Sequence, residues 1–208
     1  MRKSLGSICA CLLLAGVSGG TGTDALPLVQ DVEFRDLHHC CKRLLQMLKD
    51  FKGQWPEELA KALPATLAAG QNDPEAAVKE IQKLLDAHCL VQVSINPESR
   101  VKAARGPARA ELPLDRDAIF LVKIHNEAGV THPLEVSEAG WLELEVYAKP
   151  QQRALSGQRL EYVLLRLRAR EAGKREATLK FDVGQGTQDL GFRAEVPILF
   201  TVLPKNGR

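Results

Sequence analysis

The sequence places two histidines and two cysteines in succession, at His38, His39, Cys40 and Cys41. Imidazole and thiolate groups are the ligands that zinc prefers in proteins. Adjacent residues of a helix point about 100° apart, so four in a row cannot converge on one ion. We therefore predict no metal site at this cluster.

A second pair of histidines, His125 and His132, flanks a short segment that contains Glu127. A loop could bring two imidazoles and a carboxylate to one metal ion. Such loops usually add cysteine or aspartate ligands at close spacing, and the segment between the histidines has neither. We predict two exposed loop histidines and no bound metal.

Glycines and polar residues alternate in a stretch that begins at Gly184 and ends at Gly191. A dinucleotide-binding fingerprint needs G-x-G-x-x-G between a strand and a helix. Here the third glycine comes too late, and a strand-like run follows. We predict a structural, glycine-dependent turn that joins two paired strands. The alternative is a loop that presents polar side chains to a sugar or peptide, with Gln185, Thr187, Gln188 and Asp189 as its candidate residues.

Three arginines alternate along one segment, at Arg166, Arg168 and Arg170. In an extended chain they share a face, with neighbours roughly 7 Å apart. Such a ladder can meet carboxylates or phosphates. Glu143 and Glu145 lie on another strand-like run, and opposite charges across a sheet contribute about a few tenths of a kcal/mol. We predict a solvated, charge-paired face, since no aromatic residues interleave the arginines to favour single-stranded nucleic acid.

Familiar catalytic motifs are absent from the part of the sequence that follows the N-terminal apolar run. The chain contains no H-E-x-x-H, H-x-H or G-x-x-x-x-G-K-[ST] pattern, and its one G-x-S-x-G match, at 16–20, lies within residues 1–25. Hydrolase and nucleotide-binding chemistry therefore have no visible residue set. We predict no catalytic residues, no cofactor and no enzymatic activity.

The composition is that of a soluble globular protein. The 208 residues are 45% hydrophobic and 26% charged, and the formal net charge is +2. Such a small charge provides no strong field to hold nucleic acid or an anionic membrane surface. We expect a protein or polysaccharide partner and no nucleic acid.

The N-terminus has the three-part layout of a secretory signal peptide. A basic start, Met1–Lys3, precedes the apolar run Leu5–Val17 and the small residues Ser18–Gly20. The run is shorter than the roughly 20 apolar residues that span a bilayer. We expect residues 1–25 to be the signal peptide, with cleavage between Gly19 and Ala25. The mature protein is then periplasmic or extracellular, without stable membrane insertion.

Cleavage changes the cysteine count. Cys9 and Cys11 are removed with the signal peptide. The less favoured alternative is a lipoprotein-type cleavage before Cys11, which would leave three leucines in the mature chain just after that cysteine. Two alternatives stay open for the remaining cysteines. In an oxidising compartment Cys89 can form a disulfide with Cys40 or Cys41. Otherwise all three are small buried hydrophobic residues.

Residues 26–89 have a helical pattern. Apolar residues recur at spacings of three and four, which predicts a first helix with the stripe Phe34, Leu37, Cys41, Leu44, Leu48 and Phe51, ended by Gly53. A second, weaker helix follows Trp55, and Pro64 inside it predicts a kink or a break. A third helix is predicted to start at Asp73 as the cap, with Pro74 at its first position.

From residue 90 to 203 the apolar period changes to two, with frequent turn signals. Short strands of this kind predict an immunoglobulin-like antiparallel β-sandwich, so the fold class is α+β, with residues 204–208 as a tail. The run Leu160–Leu167 suits a helix face or a strand, and we predict a strand because its neighbours are strands. Pro197 predicts that its strand starts there or lies at an edge.

Four sequence segments occur in order along this β-rich part: NPESR at 96–100, FLVKIHNEAGVT at 120–131, AGKREA at 172–177 and FDVGQGTQDLGF at 181–192. Together they resemble the region that precedes the catalytic domain in secreted bacterial metallohydrolases of the CehA/McbA type, which have a PHP-like fold. The resemblance covers roughly residues 90–203. It implies an exported, β-rich accessory module, and it carries over no catalytic residue.

Two functions follow as expectations. In the first, the chain is a non-catalytic exported β-sandwich module that acts as an accessory or partner-binding domain. In the second, it is the leading, non-catalytic part of an exported metal-dependent PHP-like hydrolase whose catalytic domain is missing from this chain.

Overall fold

The structure is a computed structural model that describes residues 25–51, 55–138, 140–148, 154–184 and 190–204. Three helices come first: α1 (Phe34–Leu48), which continues in a 3₁₀ turn at Lys49–Phe51, α2 (Glu57–Ala69) and α3 (Pro74–Asp86). Nine strands follow in the described residues: β1 (Cys89–Ile95), β2 (Val101–Arg105), β3 (Glu111–Pro113), β4 (Asp117–Asn126), β5 (Glu135–Ser137), β6 (Leu142–Tyr147), β7 (Leu160–Ala169), β8 (Gly173–Asp182) and β9 (Arg193–Leu203).

The helix boundaries match the sequence prediction with one exception. The Asp73 carboxylate accepts a hydrogen bond from the Ala76 amide at 3.1 Å, so the predicted cap of α3 is confirmed. Helix α2 runs without interruption through Pro64, so of the two predicted alternatives the break is wrong and the kink stays a prediction. Proline removes one backbone hydrogen bond, and burial of the flanking residues Leu59, Leu63 and Leu67 against the rest of the molecule offsets that loss. The predicted end of α1 at Gly53 lies outside the described residues.

The strands form two sheets. The five-stranded sheet has the order β2-β1-β4-β7-β6, and the four-stranded sheet has the order β3-β9-β8-β5. Two pairings, β1 with β4 and β3 with β9, are parallel, so the prediction of a purely antiparallel sandwich is wrong in that detail. After β1 the chain forms β2 in the same sheet and then β3 in the other sheet. It returns to the first sheet as β4, which lies beside β1 and runs in the same direction. A period of two in the sequence does not distinguish the two pairings.

Two apolar clusters divide the molecule into three layers. The first fills the space between the sheets and includes Val122, Leu165, Phe181 and Phe200. The second lies between the helices and the opposite face of the five-stranded sheet, where Leu37, Leu44 and Ile81 meet Leu121 and Leu164. The five-stranded sheet is therefore the central layer, and the α+β sandwich predicted from the sequence is confirmed.

The central position of β7 explains why its sequence resembled a helix. Tyr162 and Leu164 point to the helices, whereas Val163 and Leu165 point into the sandwich. A strand covered on both faces has a nearly continuous apolar sequence instead of a clean alternation. The prediction of a strand for this segment is confirmed.

Pro197 lies in the middle of β9, at a point where the strand has one hydrogen-bonded neighbour. Strand β9 pairs with β8 from Arg193 to Val202 but with β3 only at its last three residues. The Val183 amide donates to the Phe192 carbonyl, so even-numbered residues of β9 bond to β8 and Pro197 faces the other side. The missing N–H of proline therefore costs no ladder bond. The predicted strand start or edge strand is wrong, because β9 begins at Arg193 and lies between β3 and β8 in the sheet order.

Within the described residues, no helix combines the length and the apolarity needed to cross a membrane.

Candidate functional site

The arginine ladder lies on the part of the five-stranded sheet that the helices leave uncovered. Each arginine has a carboxylate partner: Arg166 meets Glu145 at 3.0 Å, Arg168 meets Asp117 at 2.7 Å and Arg170 meets Glu143 at 2.8 Å. The hydrogen bond from Arg170 lowers the pKa of Glu143. The predicted charge-paired face is confirmed, and its cations are already matched by carboxylates.

The loop candidates Gln185, Thr187, Gln188 and Asp189 lie outside the described residues. The strands on either side of the loop, β8 and β9, pair antiparallel, so the predicted hairpin is confirmed. At its base the Gly184 amide donates to the Asp182 carboxylate at 2.7 Å, and Arg193 meets the same carboxylate at 2.5 Å. These contacts fix both ends of the loop.

The two histidines predicted for a loop occupy different settings. His125 belongs to β4, so its predicted loop position is wrong, while His132 lies in the segment between β4 and β5. The Nε2 atom of His125 is 3.7 Å from the Glu127 carboxylate, which Arg159 approaches at 3.5 Å. Burial lowers the pKa of His125. Glu127 is thus paired with His125 and with the Arg159 cation. The described residues contain no group of three ligands arranged for a metal ion.

All three described cysteines are buried free thiols in the structure. This is the arrangement expected of small buried hydrophobic residues, and a disulfide from Cys89 to Cys40 or Cys41 stays a prediction for the exported protein. Cys40 has a specific contact: the Tyr162 amide donates to its Sγ at 3.3 Å. Burial raises the pKa of the Cys40 thiol to about 11, which disfavours the reactive thiolate.

A buried polar cluster escaped the sequence prediction. The Lys123 side chain is fully buried, and its Nζ donates to Asp86 Oδ2 at 2.7 Å and to the Pro27 carbonyl at 2.8 Å. The Tyr162 hydroxyl donates to Asp86 Oδ1 at 2.8 Å. A lysine inside the otherwise apolar run Ile119–Ile124 was the available signal.

The same cluster ties the first described residues to the body. The Gln82 side chain accepts from the Val29 amide at 2.8 Å and donates to the Val29 carbonyl at 3.0 Å. Leu26 and Val29 are buried beside it. Residues just after the predicted cleavage site are therefore an integral part of the helical layer.

The outer face of the four-stranded sheet carries apolar side chains in solvent. On β9, Leu199 is 60% exposed and Leu203 is 47% exposed, and Pro197 is exposed on the same face. We call these three residues the leucine face. Charged residues surround it: Glu176 is the cross-strand partner of Leu199, and Lys180 meets Glu195 at 3.1 Å farther along the strands. An apolar centre within a polar rim is the usual arrangement of a protein interface.

Comparison with known proteins assigns no family. No family model matches the chain, and no curated protein matches it. Among solved structures, the solution structure of amebosin aligns with a TM-score of 0.29 at 10% identity, covering 54% of this chain and 96% of that one. A cysteine protease inhibitor from Entamoeba histolytica aligns with a TM-score of 0.24 at 9% identity, covering 55% and 95%. Similarity this low assigns no function.

Proposed function

We propose that the chain is a non-catalytic exported β-sandwich module that binds a partner through the leucine face. The observation that carries the proposal is the exposure of Leu199, the most exposed large apolar side chain in the described part of the chain. Single exposed leucines are common on protein surfaces. Here two leucines and a proline lie on one strand face, with Thr201 between the two leucines, so exposed apolar side chains are concentrated on the solvent side of β9.

The arrangement of the layers supports the choice of this face. The five-stranded sheet is covered by helices over one part, and the remaining part carries the paired arginines. The four-stranded sheet has no such cover among the described elements. Aliphatic side chains without aromatic rings suit a protein partner better than a polysaccharide, which usually stacks on aromatic faces.

The support for export is the signal-peptide layout of residues 1–25. The buried position of Leu26 is compatible with cleavage just before it, because the mature chain would then begin at the edge of the folded body. N-terminal sequencing of the protein from the envelope or medium, with a start between residues 20 and 26, would support this part.

The binding part is tested with Leu199→Lys in the full chain. The variant places a charge in the centre of the leucine face and should weaken capture of the envelope partner at least tenfold, while its melting temperature stays close to that of the wild type. Leu28→Lys is the matched control, since Leu28 is an exposed leucine on the helical side of the molecule. Equal binding by both variants would contradict the proposal.

The sequence resemblance favours a second candidate, in which the module precedes a metal-dependent PHP-like hydrolase domain. The leucine face would then pack against that domain instead of a separate protein. Translation of the DNA beyond the codon for Arg208 distinguishes the two candidates, because the second requires H-x-H and Asp/His metal motifs there.

A further inference from the structure

The buried pair of Lys123 and Asp86 holds an amine and a carboxyl group in direct contact within an apolar layer. Nζ of Lys123 lies 2.7 Å from Oδ2 of Asp86, and both side chains are almost completely withdrawn from water. We propose that they form an intramolecular amide, an isopeptide bond between the end of α3 and the centre of β4, in the mature protein. Neither the sequence motifs nor the proposed binding function requires this bond, so the proposal is independent of both.

Burial acts toward the uncharged forms that the reaction needs, while the contacts of Asp86 with Lys123 and Tyr162 act toward its ionised form. Two separate charges in an apolar layer carry a large desolvation cost. Transfer of one proton from the ammonium to the carboxylate gives a neutral amine and a carboxylic acid. Burial raises the pKa of Asp86, which acts in the direction of this transfer.

The reaction balances without a co-reactant. The Nζ lone pair attacks Cγ of Asp86, and the new C–N bond gives a tetrahedral centre. The Tyr162 hydroxyl, which donates to Oδ1, stabilises the negative charge that develops on that oxygen. Oδ2, the oxygen adjacent to Nζ, takes up the released protons, and its bond to Cγ breaks. One water molecule leaves, and no group is oxidised or reduced.

The surroundings also suit the product. An amide nitrogen keeps one N–H, and the Pro27 carbonyl, 2.8 Å from Nζ, is in place to accept it. Tyr162 continues to donate to the amide oxygen. Both charges disappear, so the apolar layer keeps satisfied hydrogen bonds without a buried ion pair. The bond would close a covalent loop between residues that are 37 positions apart.

Mass spectrometry of the wild-type mature protein tests the proposal directly. The denatured protein should be lighter than its sequence mass by one water molecule. Because trypsin does not cleave after a modified lysine, the digest should contain peptide 84–100 joined to peptide 117–153. Lys180 and Glu195 are the internal control, because they are 3.1 Å apart but exposed and should not be joined.

Three variants give further tests of the proposal. Asp86→Asn should lose ammonia instead of water and yield the same product mass as the wild type, whereas Lys123→Arg should keep its full sequence mass. Tyr162→Phe should form the bond more slowly. A folded wild-type protein with its full sequence mass and separate peptides would overturn the proposal, and this measurement needs no variant to fold.

Discussion

At the residue scale, the Cys40 thiol accepts a backbone hydrogen bond from β7 that a neighbouring strand would otherwise accept. Strand β6 pairs with β7 only as far as Leu164, so among the described residues the backbone of Tyr162 has no strand neighbour on that side. The Cys40 Sγ accepts from the Tyr162 amide and lies 3.7 Å from the Tyr162 carbonyl. A pocket lined by Cys40, Met47 and Tyr162 lies beside this contact.

Cys40→Ala should therefore destabilise the protein by about 1–3 kcal/mol, because it leaves a buried amide without a partner and opens space in the core. Cys40→Ser, which keeps a hydrogen-bonding atom, should cost less. Urea denaturation measures both values. A loss below about 0.5 kcal/mol for the alanine variant would show that the thiol contact is unimportant.

Glu161 gives a prediction for pH dependence. Its carboxylate is buried and accepts from the Ser156 amide at 3.0 and 3.1 Å, yet burial raises its pKa above the ordinary 4.5. The folded state then binds the proton more tightly than the unfolded state. The contribution of this group to stability is present below pH 4.5 and falls as the pH rises from there through the raised pKa.

Glu161→Gln should remove this decline, so the stability difference between variant and wild type should change in favour of the variant as the pH increases over that window. Chemical denaturation at several pH values measures it. The same substitution at the exposed Glu98 serves as the control and should leave the pH profile unchanged. Parallel profiles for wild type and Glu161→Gln would refute the assignment.

At the scale of elements, the hairpin of β8 and β9 depends on one close approach. A Cβ atom at Gly184 would lie 2.6 Å from the Cβ of Phe192, nearer than two such atoms come in proteins. Gly184→Ala should destabilise by more than about 1 kcal/mol, because the hairpin base must shift. Glu195→Ala on the exposed face of the same hairpin should stay within about 0.5 kcal/mol. Similar melting temperatures for the two variants would contradict this account.

The elements themselves were largely predictable, because each depends on a local pattern. The period of α1, the cap at Asp73 and the alternation along β9 each follow from local rules. The continuity of α2 at Pro64 and the parallel pairing of β1 with β4 were not predictable. Both features depend on contacts between segments that are distant in the sequence, and the residue pattern of a single strand or helix does not predict such contacts.

The candidate site was less predictable for the same reason. Lys123, Asp86 and Tyr162 come from three elements that only the tertiary structure brings together. Two partners of the arginine ladder, Glu143 and Glu145, could be predicted because cross-strand neighbours have a regular spacing, whereas Asp117, the partner of Arg168, was missed. The exposure of Leu199 reflects the lack of a covering element over the four-stranded sheet in the described part of the chain, which no local pattern shows.

At the scale of the whole molecule, the two sheets differ in how much of their surface is covered by other layers. The five-stranded sheet is the central layer and carries both apolar clusters, so its faces serve stability. The four-stranded sheet buries one face and presents the leucine face on the other. The proposed partner contact and the helical layer therefore lie on opposite sides of the molecule.

The most direct test of this central claim is site-specific photo-crosslinking in cells that express the full chain. A photoreactive residue at position 199 should give an adduct with one partner, identified from its peptides, and adding Leu203→Lys should abolish that adduct. The same residue at position 143, on the exposed ion-pair face, should give none. An adduct at position 143 without one at position 199 would contradict the account.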